Sequence, residues 1–207
     1  MINMLLTKES QSAAWFVSRL WSALLMAGGP DPSSRNFTHF RQAFSPAWLD
    51  ALPLPLGEKR PSTQTVALVD GTSFQREVND SAVELAYRRQ RRTRVYESIE
   101  ARSDGWFSVA AVQLARLTRC RVVCTMYESN YGDKAIIPHV DAWYGAIVQM
   151  RGTKEWTLWK HKSTESQCTI TRQGDVLLLP PSVVHAVGTP RYSVHLVFAI
   201  MGGEPIM

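Results

Sequence analysis

From Arg119 onward the chain breaks into short β-branched and aromatic runs separated by turns. The runs fall at 121–127, 135–140, 144–150, 155–159, 168–171, 176–179, 185–187 and 192–200. Eight short strands in about 80 residues are too many and too short for helix-covered parallel β-α units. They point to a double-stranded β-helix, a jelly roll in which two sheets face each other. The fold class expected is therefore mainly β with N-terminal helices.

The first part of the chain is mixed. Trp15, Phe16, Leu20, Ala23, Leu24 and Ala27 recur at helical spacing, and Gly28-Gly29-Pro30 supplies a stop. A loop follows over 28–35, then a short helix over 37–44, a Pro-rich stretch over 53–61 and a strand over 65–69. Two further helices are expected at 81–94 and 109–117. Residues 1–118 are read as a helical wrap with the first strand or strands. Residues 119–207 are read as the β-helix core of the same domain. The apolar stretch 13–27 is broken by Arg19 and is shorter than the ~20 residues that a membrane span requires, so no membrane association is expected.

The net charge of +5 is partly local, since Arg88, Arg89, Arg91, Arg92 and Arg94 fall within seven residues. Such a cluster suits an acidic partner, but a solvated helix face is the preferred reading, and no nucleic-acid-binding pattern accompanies it. Nucleic acid is thus not the expected partner. Cys120, Cys124 and Cys168 form an odd set without a CxxC. On one strand, Cys120 and Cys124 would lie about 13 Å apart, too far for a disulfide. Reduced thiols and a cytoplasmic location are expected.

The chemistry concentrates in His139-Val140-Asp141 and in His185, which follows Gly174-Asp175, an apolar run and the Pro180-Pro181 corner. On a strand, residues two apart share a side, so His139 and Asp141 can converge on one ion while Val140 turns into the core. His185 would complete the set from a neighbouring strand. Two imidazoles and one carboxylate on one face of a metal leave the opposite face open, the arrangement suited to non-haem Fe(II) and O₂.

Three linked segments carry a resemblance. His139-Val140-Asp141, the run from Gln149 through Gly152, Lys154 and Trp156, and Gly174-Asp175 through His185 together resemble the JmjC and cupin-like Fe(II)/2-oxoglutarate oxygenases. The similarity lies with their small-barrel hydroxylases, which include the ribosomal oxygenases and the asparaginyl hydroxylase of hypoxia-inducible factor. It spans roughly residues 120–200. The resemblance implies Fe(II) held by His139, Asp141 and His185, with 2-oxoglutarate as cosubstrate beside O₂. Lys154 would pair with the far carboxylate, assisted by hydroxyls for which Tyr127, Thr125 and Ser193 are candidates. Gly152 is expected to make the tight turn before the lysine strand.

Two positions depart from that pattern. Ile136 stands where several relatives carry threonine, and Gly145 stands where some carry asparagine. His195 and Arg191 are further residues within reach of the pocket. One of Trp143 and Tyr144 is expected at the substrate mouth, with the loop 128–134 as a lid or recognition segment. Larger relatives carry C-terminal modules, and with Met207 a few residues past the final strand none is expected here. The reaction implied is hydroxylation of an amino-acid side chain, in a peptide or protein or as a small molecule. N-demethylation by the same chemistry and a metal-binding cupin without oxygenase activity are the alternatives. Asp141 argues against the latter, because cupins of other chemistry use a more histidine-rich set.

Overall fold

The computed structural model describes residues 8–31, 33–56, 66–77, 79–102, 105–159, 164–181 and 183–202. Position 65 of the expected strand, part of the Pro-rich stretch and Ser182 of the run leading to His185 lie outside them.

A mainly antiparallel β structure is wrapped on one side by helices. α1 (Lys8–Met26) and α5 (Trp106–Thr118) pack together against the sheet. Shorter helices are α2 (Pro46–Ala51), α3 (Asp80–Arg89) and α4 (Ile99–Arg102). The strands are β1 (Thr38–Phe40), β2 (Val66–Asp70), β3 (Ser73–Arg76), β4 (Arg94–Tyr96), β5 (Arg121–Ser129), β6 (Tyr144–Trp159), β7 (Ser166–Arg172), β8 (Val176–Leu179), β9 (His185–Gly188) and β10 (Ser193–Met201). The long sheet runs β1-β8-β6-β10-β5-β4-β2-β3, and β7 and β9 flank the second half of β6. This is the jelly-roll arrangement, with β6 shared by both sheets.

Alternation along β10 separates two interiors. Val194, Leu196, Phe198 and Ile200 join the large apolar cluster under α1 and α5. His195 and Val197 line a cavity on the opposite side. Both faces of the strand are buried, which is why it reads as a nearly continuous apolar run. β5 follows the same logic, sending Val122, Cys124 and Met126 to the helices and Tyr127 to the cavity.

β6 was expected as two strands joined by a turn at Gly152, but it is one strand of 16 residues that bends there. Gly152 has φ +62, and a Cβ at that position would lie 1.8 Å from the Tyr192 carbonyl oxygen. Opposite it the pairing with β10 slips, Val194 facing Arg151 while His195 faces Gln149. The extra residue, Met150, reverses the parity of β6. Before the bulge the odd positions Ile147 and Gln149 turn away from the helices; after it the even positions Lys154, Trp156 and Leu158 do so.

Other differences are local. Residues 38–40 form an edge strand on β8 instead of the helix expected over 37–44. Phe40 and Phe44 imitate helical spacing, but backbone pairing of Thr38 with Leu178 decides the conformation. The segment 135–140 is irregular, flanked by bridges at Lys134 and His139 and tied between them by the Ile137 N–H to the Gly71 carbonyl and the Val187 N–H to the Ile136 carbonyl. Helix α3 ends at Arg89, so the arginine run is not one solvated face. Arg91 pairs with Asp133, Arg92 is buried, and Arg94 pairs with Glu84 and lies 3.8 Å from the Tyr87 ring centroid. All three cysteines are free. Among the described residues, no helix is long and apolar enough to cross a membrane.

Candidate metal centre and anion pocket

His139 and His185 are fastened to each other through their main chains. His139 N–H donates to the His185 carbonyl at 3.0 Å, and His185 N–H returns a bond to the His139 carbonyl at 2.9 Å. This single antiparallel bridge replaces the strand expected at 135–140, and it brings the rings to 4.2 Å between centroids. Val140 turns outward rather than into the core and is 55% exposed, because the segment is not pleated on a sheet.

The ring orientations are set by backbone carbonyls. His139 Nδ1 lies 2.9 Å from the Ile137 carbonyl oxygen, and His185 Nδ1 lies 3.1 Å from that of Val183. A carbonyl only accepts, so each Nδ1 carries the proton and each Nε2 keeps its lone pair. Asp141 faces both lone pairs, with Oδ1 3.7 Å from His139 Nε2 and Oδ2 3.5 Å from His185 Nε2. One ligand atom from each of the three residues lies within 4.8 Å of the others. Burial raises the Asp141 carboxyl to about 6, with His139 pulling the other way. Burial, then His139, lowers His185 to about 4. A set of aimed lone pairs, its rings locked by hydrogen bonds on the far nitrogen, fits a divalent ion of borderline character.

The three residues line a cavity of about 220 Å³. Lys154 and His195 line it with Tyr127 and Trp156, while Ile136, Val187 and Val197 supply apolar wall. Lys154 is 1% exposed. Its ammonium donates to Ser129 Oγ at 2.8 Å and to Thr189 Oγ1 at 2.7 Å, and Ser129 in turn lies 2.9 Å from Thr93 Oγ1. Among the described residues no carboxylate pairs with it. Burial lowers Lys154 to about 7, although the nearby Asp133 opposes the fall. Asp133 is itself engaged by Tyr87, Arg91 and the Asn130 N–H. A buried ammonium solvated by hydroxyls alone leaves room for an anion to complete its shell.

The structure sorts the other expected residues. Tyr127 lines the cavity, and burial with the Asp141 carboxylate nearby keeps its phenol protonated. Thr125 does not line it, although it shares the inner face of β5. Ser193 is also outside the lining. Its hydroxyl accepts from Gln149 Nε2 at 2.8 Å, one bond of a buried clamp that secures the bulge opposite Gly152. Of the two aromatic residues, Trp143 lines the cavity, whereas Tyr144 belongs to the helix-side core. A Cβ on Gly145 would meet the Trp143 ring at 3.1 Å, so the missing side chain there is what seats the indole. Arg191 opens onto a different, outer groove. The loop 128–134 is pinned by the Asp133 bonds instead of hanging free. Asp175 accepts from His39, the Gln42 N–H and the Arg172 N–H, holding a corner rather than serving the cavity. The hydroxyls around Lys154, from Ser129 and Thr189, escaped sequence reasoning because their elements meet Lys154 only in three dimensions.

A family model described as the JmjC domain matches residues 94–202. No curated protein sequence matches the chain. Among solved structures, the X-ray structure of ycfD from Escherichia coli is similar with a TM-score of 0.63 and 12% identity, covering 89% of this chain and 53% of that one. The same protein, a ribosomal oxygenase, is similar in its complex with cobalt and 2-oxoglutarate, with a TM-score of 0.59 and 13% identity over 82% of this chain and 49% of that one. Its complex with cobalt and succinic acid gives 0.60 and 13% over the same shares. The chain spans about half the length of these structures, and at such identity the likeness is one of fold.

Proposed function

This chain belongs to the JmjC domain family, and from that premise we propose that it is an Fe(II)- and 2-oxoglutarate-dependent oxygenase that hydroxylates an amino-acid side chain. The observation that carries the reading is the pairing of two incomplete sites in one cavity. Three aimed lone-pair donors line it together with a buried lysine that has no counter-ion among the described residues. A dicarboxylate with a keto group next to one acid fits both at once.

In this reading His139, Asp141 and His185 hold the metal by Nε2, a carboxylate oxygen and Nε2. The Ile137 and Val183 carbonyls keep both imidazoles in the metal-binding tautomer. Lys154 fixes the far carboxylate, steered by Ser129 and Thr189. Trp156 and Val187 exclude water along the cosubstrate, and Trp143 lines the same cavity. When bound, iron with 2-oxoglutarate and O₂ supplies an oxidant able to attack an unactivated C–H bond. Residues 1–118 and 119–207 act as one unit, since β2, β3 and β4 extend the sheet that bears the cavity.

A peptide-bound side chain is the favoured substrate form. Ile137 and Val140, each 55% exposed, and Val184, 36% exposed, flank the ligands. An uncharged rim of this kind suits a residue presented by a polypeptide better than a free charged metabolite. The likeness in fold to a ribosomal oxygenase supports the same class. The test is Fe(II)-, 2-oxoglutarate- and O₂-dependent release of succinate, followed by mass spectrometry of candidate peptides and free amino acids for a gain of one oxygen atom. Absence of both 2-oxoglutarate binding and its decarboxylation in the iron-loaded protein would overturn the proposal.

A further inference from the structure

His195 is a buried imidazole whose hydrogen-bonding needs the protein does not meet. It faces the cavity from β10 and is 3% exposed. Its ring lies flat on Tyr127, with centroids 4.9 Å apart and planes 2° from parallel. Trp156 meets it edge-on at 5.5 Å and 70°. These contacts fix where the ring lies without supplying a partner for Nδ1. Nδ1 is buried and has no hydrogen-bond partner among the described residues. Folded proteins rarely leave such an atom unpaired without a reason.

Its surroundings narrow the reason. Burial and then the Lys154 ammonium hold the imidazole in its neutral form, so it carries one N–H donor and one acceptor nitrogen. An acceptor beside an ammonium suggests a direct bond, yet Lys154 donates to Ser129 and Thr189 instead. The adjoining wall is Ile136, Val187 and Val197, which offer no donor. An anion seated against Lys154 would share the cavity with two further donors, the His195 ring and the Tyr127 hydroxyl. Because the ring is clamped between two aromatic residues, it presents that donor in one fixed direction, which a flexible ammonium cannot do.

We propose that His195 is a second anchor for the far carboxylate of the cosubstrate, donating an imidazole N–H to the anion that Lys154 neutralises. The assignment rests on the 2-oxoglutarate reading above and adds a binding residue to it. The anchor acts on one end of the ligand alone, which makes it separable from metal binding and from packing.

The experiment compares two keto acids on the Co(II)-loaded protein under anaerobic conditions by calorimetry. 2-Oxoglutarate has the far carboxylate, and 2-oxobutyrate chelates the metal without it. His195→Phe keeps an aromatic ring for the Tyr127 stack and is expected to weaken 2-oxoglutarate roughly 10- to 100-fold while leaving 2-oxobutyrate unchanged. His195→Gln keeps a donor and is expected to hold affinity within a few-fold of the wild type. Unchanged 2-oxoglutarate affinity in His195→Phe overturns the assignment. So does equal weakening of both ligands, or a loss that merely follows the melting temperature, either of which marks His195 as packing. Lys154→Met separates the levels. If it weakens 2-oxoglutarate while His195→Phe does not, only the anchor fails; if it too has no effect, the cosubstrate reading falls and takes the anchor with it.

Discussion

The two faces of β10 lie one side chain apart and are built on opposite terms. Leu196 and Phe198 are 0% exposed among hydrocarbon, under helices that close over them. His195 and Val197, between and beside them, border a cavity that holds an unpaired lysine and three converging lone-pair donors. The first face satisfies every contact within the fold. The second leaves polar groups waiting. Stability and chemistry are thus assigned to alternate residues of one strand, and neither can be altered far without the other feeling it through the shared backbone.

The sharpest way to break that division is to alter one face and look for damage on the other. His185→Ala removes a ligand from the cavity side and should abolish turnover, by roughly a thousandfold or more. Its melting temperature and circular dichroism should stay close to the wild type. Equal collapse of fold and activity would show that the faces are not separable. On the helix side, Phe198→Ala should cost about 3–5 kcal/mol in urea unfolding. The folded fraction should still bind Co(II) as the wild type does.

Lys154→Met sharpens the contrast within the cavity. It should weaken 2-oxoglutarate by roughly 10- to 100-fold in calorimetry. It should not lower the stability of the ligand-free protein, because a cation without a counter-ion leaves the interior. A smaller effect follows from pH. Burial lowers Lys154 from 10.5 to about 7, so above that pH the empty site is neutral and must take up a proton to receive a carboxylate. Affinity for 2-oxoglutarate should fall as pH rises past about 7, by up to about tenfold per unit, and Lys154→Met should remove that slope. The ligand-free protein should behave in the opposite sense. Its unfolded chain holds the proton up to the ordinary lysine value, so stability rises with pH across the window from about 7 to 10.5.

Much of this was legible before any coordinates, for reasons that differ by element. β5, β8 and β10 announce themselves because their burial is dense and their turns are marked. His139, Asp141 and His185 were legible as spacings and Lys154 through the family resemblance, and the structure brings all four to one cavity. The continuity of β6 was hidden, since a bulge and a left-handed glycine look like a turn in one dimension. β1 and β4 were invisible. Each is three residues long, and pairing with β8 or β5 outweighs the helical spacing of the phenylalanines or the charge of the arginine run. Thr125 and Ser193 show the limit of spacing, which places a hydroxyl on a strand but not at a given depth along it. His195 shows the converse, a wall residue whose meaning appears only once its neighbours are known.

The shared strand β6 has a consequence for how the protein comes into being. Its partners among the described strands, β7, β8, β9 and β10, all follow it in the chain, and β10 is the piece that slots between it and β5. During synthesis β6 leaves the ribosome without a mate until β7 and β8 follow, and its edge toward β10 stays open until residues near 200 have emerged. The barrel then closes in one late step. A nascent chain stalled before that point displays the edge most prone to pair with its neighbours, so the interval between β6 and β10 is when this protein most needs a chaperone.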